Sequence, residues 1–257
     1  MTFGETLPTP PQANALIVGA SQGIGLGFVR QLLQDGRWRR VYATYRNPTT
    51  ALLDLQKNDP ERLRCLPVDI TEEAQIAAAT AHIGTESSQL HLVVSCVGLL
   101  HDGPLQPEKS LSQLNPESML RYFQINSIGA ALVAKHCLPL LKHKDPSVLA
   151  AISAKIGSIG DNELGGWYGY RASKAALNML MKTAAIEYRR KSPKTILALL
   201  HPGTTDTQLS QPFQRGVPPE KLFPVERTVS QLMRIIEGLE EQDSGAFFSW
   251  DGSRLPW

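Results

Sequence analysis

Tyr170 and Lys174 stand four residues apart in the stretch Trp167-Tyr-Gly-Tyr-Arg-Ala-Ser-Lys174. On a helix that spacing puts both side chains on one face, about one turn from each other. A phenol with its ordinary pKa near ~10 is a poor proton carrier at neutral pH. An ammonium beside it favours the phenolate and pulls that value down, so the pair reads as a proton donor and acceptor working near neutrality. The same spacing also occurs on ordinary exposed helices. The elements around the pair must therefore decide.

Those elements alternate. Ala15 to Val18 is a short apolar run that stops at glycines, which reads as a buried strand ending in a turn. A helix over 24–34 follows, then a strand over 40–45, a helix near 50–57 and a strand over 63–68. A further helix runs from Thr71, its expected N-cap, to Gly84, and a strand covers 90–96. Beyond a polar loop the pattern predicts a long helix over 116–143, a strand over 147–153, the Tyr170 helix to about Lys191 and a strand over 195–200. The chain ends with a helix over 225–239 and a short strand over 246–249. Strands separated by helices mean βαβ units, so the fold class is α/β, with one doubly wound parallel sheet of about seven strands and helices on both faces. Residues 1–13 read as a flexible Pro-rich lead-in and 14–257 as one Rossmann-type domain.

Composition excludes several classes. The 257 residues carry a net charge of +2, with 42% hydrophobic and 19% charged residues, which gives no reason to expect nucleic acid or a membrane as partner. No apolar run reaches the ~18 residues of a membrane span, and Met1 to Asn14 has no apolar signal core, so a cytoplasmic location is expected. Cys65, Cys96 and Cys137 are far apart and lie in apolar runs, as buried free thiols do. His136 and His143 have no third ligand nearby in sequence, so no metal site is expected.

Doubly wound sheets bind ligands beyond the carboxyl ends of their strands. The first strand ends in Gly19-Ala-Ser21-Gln22-Gly23-Ile24-Gly25 and runs into a helix. Glycines there permit a tight turn and let backbone approach a pyrophosphate at the helix N-terminus. The same residues also match Gly-x-Ser-x-Gly, a nucleophile elbow with Ser21 as nucleophile and His201 as a conceivable base. An elbow serine normally follows several strands, whereas Ser21 follows the first. The second strand ends at Arg46, with no acidic residue between Arg37 and Ala51. An acid there would bind a ribose 2′-hydroxyl, whereas an arginine suits a 2′-phosphate, so NADP(H) is favoured over NAD(H).

With these motifs together the chain resembles the short-chain dehydrogenase/reductase family over nearly its whole length. Gly157-Ser-Ile-Gly-Asp161, Gly165-Gly-Trp-Tyr168, Tyr170 to Asn178 and the Asp251-Gly-Ser end are similar to the C-factor (cell–cell signalling protein) branch. The resemblance implies that Gly19 to Gly25 holds the cofactor diphosphate and that Asp69-Ile70 meets the adenine. It implies that Asn126 holds a water relaying protons to Lys174. Tyr170 would be the acid/base, with Lys174 lowering its pKa and binding the nicotinamide ribose. Pro202-Gly203 and the segment to Thr205 and Thr207 would contact the nicotinamide end, and 208–223 would form a substrate lid. A homodimer or homotetramer is implied, pairing through the helices around 116–143 and Tyr170.

Two departures stand out. The family's Asn-Asn-Ala-Gly after the fourth strand is Ser95-Cys-Val-Gly98 here, keeping only Gly98. The family's catalytic serine stands three residues before Gly157, where this chain has Ala154. Ser153 or Ser158 reorients to supply the hydroxyl, or the enzyme is slow, or its substrate supplies the group. The expected activity is NADP(H)-dependent interconversion of a small-molecule carbonyl compound and a secondary alcohol. The rivals are a cofactor-binding signalling protein and, more remotely, a serine hydrolase at Ser21.

Overall fold

The computed structural model describes Pro10 and residues 12–257. Most of the expected lead-in, residues 1–9 and 11, therefore lies outside the described residues. Strand β1 (Ala13–Val18), helix α1 (Gly23–Gln34), β2 (Trp38–Tyr45), α2 (Thr50–Asn58), β3 (Leu63–Pro67), α3 (Glu73–Glu86) and β4 (Leu92–Ser95) alternate as the apolar runs predict. They are followed by α4 (Pro116–Phe123), a π-helical turn (Gln124–Ile128) and α5 (Gly129–Leu141). The second half holds β5 (Ser147–Ile152), α6 (Tyr168–Lys191), β6 (Thr195–His201), the two-residue strands β7 (Thr204–Thr205) and β8 (Leu222–Phe223), α7 (Val225–Glu237) and β9 (Ala246–Ser249).

Seven strands form one parallel sheet in the order β3-β2-β1-β4-β5-β6-β9, the doubly wound Rossmann-type arrangement. Strand periodicity sends alternate residues to opposite faces. Ala15 and Ile17 of β1 join a core with Phe28 and Val29 of α1, Leu52 of α2 and Leu232 of α7. Leu16 and Val18 join the opposite core with Ile83 of α3, Val133 of α5 and Leu177 of α6. Both faces are thus covered. The strand order reverses between β1 and β4, which opens a crevice at their carboxyl ends.

Two local expectations are corrected. The long helix over 116–143 is interrupted, because the π turn at 124–128 widens its middle around Asn126. Thr71 does not cap α3. Its hydroxyl donates to Asp69 Oδ1 at 2.8 Å, its N–H donates to the same oxygen at 2.9 Å, and α3 begins two residues later. An aspartate two residues upstream outcompetes the helix N-terminus for that threonine.

Candidate active site

The crevice is built from glycine. Gly19 and Gly23 have φ of 82° and 53°, and a Cβ at Gly19 would meet Val97 Cγ2 at 2.6 Å. A Cβ at Gly25 would lie 2.1 Å from the Gly19 carbonyl oxygen, so only glycine closes this turn. Gln22 precedes the first residue of α1 without capping it, and Ser21, Gly23 and Ile24 are partly exposed along the crevice. Thr49, which caps α2, donates its hydroxyl to the Ser21 carbonyl at 2.6 Å and fixes the loop from outside. No hydrogen bond joins the Ser21 hydroxyl to a histidine among the described residues, so the elbow reading has no base beside its serine. Burial pulls His201 down to about 4, which makes it a neutral ring at the end of β6.

At one end of the crevice Arg46 is exposed after β2, and its charge reaches Asp69. Burial alone would raise the Asp69 carboxyl. The bonds from Thr71 and the charges of Arg46 and Arg121 instead hold it below the usual carboxylate value. Ile70 is buried, and a Cβ at Gly129 would lie 2.5 Å from its side chain. At the other end Pro202 and Gly203, with φ of 72°, turn the chain after β6. The buried Thr205 hydroxyl meets Thr228 Oγ1 at 2.9 Å. Thr207 faces the glycine turn, since a Cβ at Gly23 would lie 3.1 Å from its methyl group.

Between these ends sits the Tyr170 group. Tyr170 and Lys174 lie one turn apart on α6, 6% and 2% exposed, with Lys174 Nζ 5.9 Å from the phenol ring centroid. Lys174 Nζ donates to the Ile152 carbonyl at 2.9 Å. Asn126 Oδ1 accepts from Leu99 N–H at 2.7 Å, while Nδ2 donates to Leu99 O and to Ser173 Oγ, each at 2.9 Å. Ser173 in turn donates to the Tyr170 carbonyl at 2.8 Å. Asn126 therefore ties the β4 exit to α6, with one Oδ1 lone pair left over. Gly98 lies against both groups: a Cβ there would sit 3.7 Å from Lys174 Nζ and 4.0 Å from Asn126 Oδ1.

The electrostatics reverse one expectation. Burial, with Tyr122 beside it, pushes the Tyr170 hydroxyl above the ordinary phenol value. Burial pulls the Lys174 ammonium down to about 8, against an opposing pull from Cys96. The lysine, not the tyrosine, is the group brought close to neutrality. A charge in a low-dielectric site is disfavoured whatever its sign, and burial is the largest cause at both groups.

Ser153 does not join Tyr170. Its buried hydroxyl donates to Asn178 Oδ1 at 2.6 Å, two helical turns beyond Tyr170 on α6. Ser158 is also buried, and its Oγ accepts from the Asp161 N–H at 3.2 Å. Ala154 packs instead with the cluster of Tyr170, Tyr122 and Leu100, presenting a methyl group. That cluster includes residues not expected from the sequence. Trp167 lies edge-on to Tyr170 at 6.2 Å and to Phe213 at 4.8 Å, and Tyr122 lies edge-on to Tyr170 at 6.3 Å. Phe213 and Leu209 belong to the 208–223 segment, which folds onto this cluster and is tied down by β8 pairing with β7.

One other polar cluster lies at the opposite end of the sheet. The ligand atoms of His91, His143 and Asp145 fall within 4.8 Å of one another. His91 Nδ1 accepts the Asn14 N–H at 3.1 Å. The ring proton of neutral His91 therefore sits on Nε2, which donates and cannot ligate.

A family model described as short chain dehydrogenase matches residues 13–217. The chain is 33% identical over 148 residues to the C-signal of Myxococcus xanthus, covering 58% of this chain and 84% of that protein. It is 30% identical over 214 residues to a benzil reductase ((S)-benzoin forming) of Saccharomyces cerevisiae, covering 81% and 78% of the two chains. Among solved structures it is similar to the NADPH-bound carbonyl reductase from chicken fatty liver, at 30% identity and a TM-score of 0.84, covering 96% of this chain and all of that one. The carbonyl reductase Sniffer of D. melanogaster superposes with a TM-score of 0.83 at 26% identity, covering 96% and 99%. The chain belongs to the short-chain dehydrogenase family and is an NAD(P)-dependent oxidoreductase.

Proposed function

We propose that this protein is an NADP(H)-dependent reductase that converts a small-molecule carbonyl compound to the corresponding alcohol, a secondary alcohol where the substrate is a ketone, with Tyr170 as the proton donor. The observation that carries this reading is the buried convergence of Tyr170, Lys174 and Asn126 beside the Gly19–Gly25 turn. The glycine turn fits a diphosphate, because a side chain at Gly19 or Gly25 would clash with Val97 or with the turn's own backbone and break the tight strand–turn–helix that brings backbone to a phosphate. Ser21 to Ile24 would hold that diphosphate, Asp69 and Ile70 the adenine, Lys174 the nicotinamide ribose, and Gly98, Pro202, Gly203, Thr205 and Thr207 the nicotinamide end. A bound nicotinamide supplies hydride to the carbonyl carbon.

The chain's own residues handle the proton. Tyr170 is a neutral phenol, because burial holds its proton on, and it donates that proton to the substrate oxygen. Lys174, brought to about 8, exchanges a proton near neutral pH and restores Tyr170. Asn126 orients α6 through Ser173 and offers its remaining lone pair to a relaying water. Arg46 would select NADP(H), because an exposed guanidinium just after β2 suits a 2′-phosphate. The exposed Leu120, Ile128, Met179, Leu180 and Ile186 on α4 to α6 and the intervening π turn support pairing into a homodimer or homotetramer.

Turnover of a panel of aldehydes and ketones with NADPH tests the reading. Tight NADPH binding without turnover of any of them would refute it. That outcome would favour the signalling alternative, which the likeness to C-signal and the methyl group of Ala154 support. For cofactor choice, Arg46→Ala should weaken NADPH binding by roughly ten- to a hundred-fold, the size of a lost charge-assisted hydrogen bond, and leave NADH binding nearly unchanged. A wild-type preference for NADH would refute the Arg46 assignment.

A further inference from the structure

Three consecutive residues before α6 have left-handed backbone: Gly165, Gly166 and Trp167, with φ of 63°, 67° and 53°. Glycine adopts that region freely, but a bulky residue there is strained and persists only where its surroundings impose it. The surroundings do so here. Arg171 Nε donates to the Gly166 carbonyl at 3.0 Å, and its two terminal nitrogens donate to Gly165 O at 3.1 Å and Ile156 O at 3.2 Å. The Trp167 N–H donates to the Glu108 carbonyl, and the Glu108 carboxylate accepts from the Gly169 N–H at 3.0 Å. Five hydrogen bonds thus fix one turn.

The consequence is the position of the indole. It lies between the Tyr170 ring and Phe213 and lines the open cleft that runs on to Pro104, Gln113 and Pro212. A substituent reaching from a carbonyl carbon at Tyr170 into that cleft would run along the indole and Phe213. Aromatic rings favour edge-to-face or offset contacts of the kind Trp167 and Phe213 already make with each other.

We propose that Trp167, held left-handed by Arg171 and Glu108, is a specificity-determining residue that selects carbonyl compounds bearing a planar aromatic substituent over small aliphatic ones. This rests on the reductase reading of the Tyr170 site.

The test compares benzaldehyde with butanal for wild type, Trp167→Leu and Trp167→Phe, with NADPH as cofactor. The aryl-to-alkyl ratio of kcat/KM should fall about ten-fold or more in Trp167→Leu, chiefly through KM for benzaldehyde, and should be largely kept in Trp167→Phe. An unchanged ratio in Trp167→Leu would overturn the proposal. Arg171→Gln should lower the ratio as well, and a ratio equal to wild type would remove Arg171 from the account. A second readout separates this claim from the reductase reading. Benzyl alcohol should quench the indole fluorescence of wild type more than that of Trp167→Phe, whether or not the protein turns over. Equal quenching in the two would overturn the proposal, whereas absent turnover with intact Trp167-dependent quenching would refute only the reductase reading.

Discussion

Ala154→Ser should make the enzyme faster. Ala154 packs against the cluster of Tyr170, Tyr122 and Leu100, where the family pattern carries a serine hydroxyl. Neither neighbouring serine supplies the missing group. The Ser153 hydroxyl is committed to Asn178 at 2.6 Å, and Ser158 is turned to the Asp161 N–H. A well-aligned donor to a developing oxyanion is worth about 2.7–4 kcal/mol, or roughly 10²–10³ in kcat. An ordinary hydrogen bond is worth only about 1 kcal/mol, or roughly five-fold. Ala154 is only partly buried, so a serine there keeps competing water and the gain should fall between these limits, at about ten- to a hundred-fold. The rise should appear in kcat, because the charge it stabilises develops in the transition state. Adding one oxygen at a partly exposed position should change stability by less than about 1 kcal/mol. The assay is the initial rate of NADPH oxidation at saturating benzaldehyde, with thermal unfolding as the control. Unchanged or reduced kcat in a variant of unaltered stability would show that the substrate oxygen does not sit between Ala154 and Tyr170.

Two further outcomes follow from packing and charge. Gly25→Ala should abolish measurable NADPH binding and lower stability by about 1–3 kcal/mol, because the new Cβ would sit 2.1 Å from the Gly19 carbonyl and the contact atom is backbone; isothermal titration with denaturation measures both, and intact binding would refute the cradle. Lys174 has a folded pKa of about 8, below its usual 10.5, so between those values the unfolded chain holds a proton that the folded chain has lost. Its contribution to stability is therefore least below pH 8 and rises by about 3 kcal/mol as pH climbs through that window. Urea denaturation near pH 7 and pH 10 should show that rise in wild type relative to Lys174→Met, and parallel curves would contradict it.

How much of this could be read from the sequence differs by residue. The β1 turn was legible because Gly19, Gly23 and Gly25 are local requirements of a strand–turn–helix. Tyr170 and Lys174 were legible as one helix face, since spacing alone fixes it. Their proton affinities were not, because burial is a property of the assembled core and reversed the expected shift. Ser153 was ambiguous for a related reason: its partner Asn178 lies 25 residues away, and only the packed helix selects the rotamer. The aromatic wall was missed because Tyr122, Trp167 and Phe213 come from three separate stretches of chain. Gly165-Gly166 advertised a turn, yet nothing local announces a left-handed tryptophan after it. The π turn was hidden inside an unbroken helical pattern, and it encloses Asn126, whose three amide bonds all go to residues distant in sequence.

On the proposed mechanism Tyr170 delivers the proton in carbonyl reduction. Tyr170→Phe removes only the hydroxyl and leaves the buried ring between Trp167 and Tyr122. Single-turnover reduction of benzaldehyde by the NADPH-loaded variant measures the chemical step directly. Loss of one acid catalyst should slow that step by about 10²–10⁴ while NADPH affinity stays within a few-fold of wild type. A single-turnover rate equal to that of wild type would contradict the account.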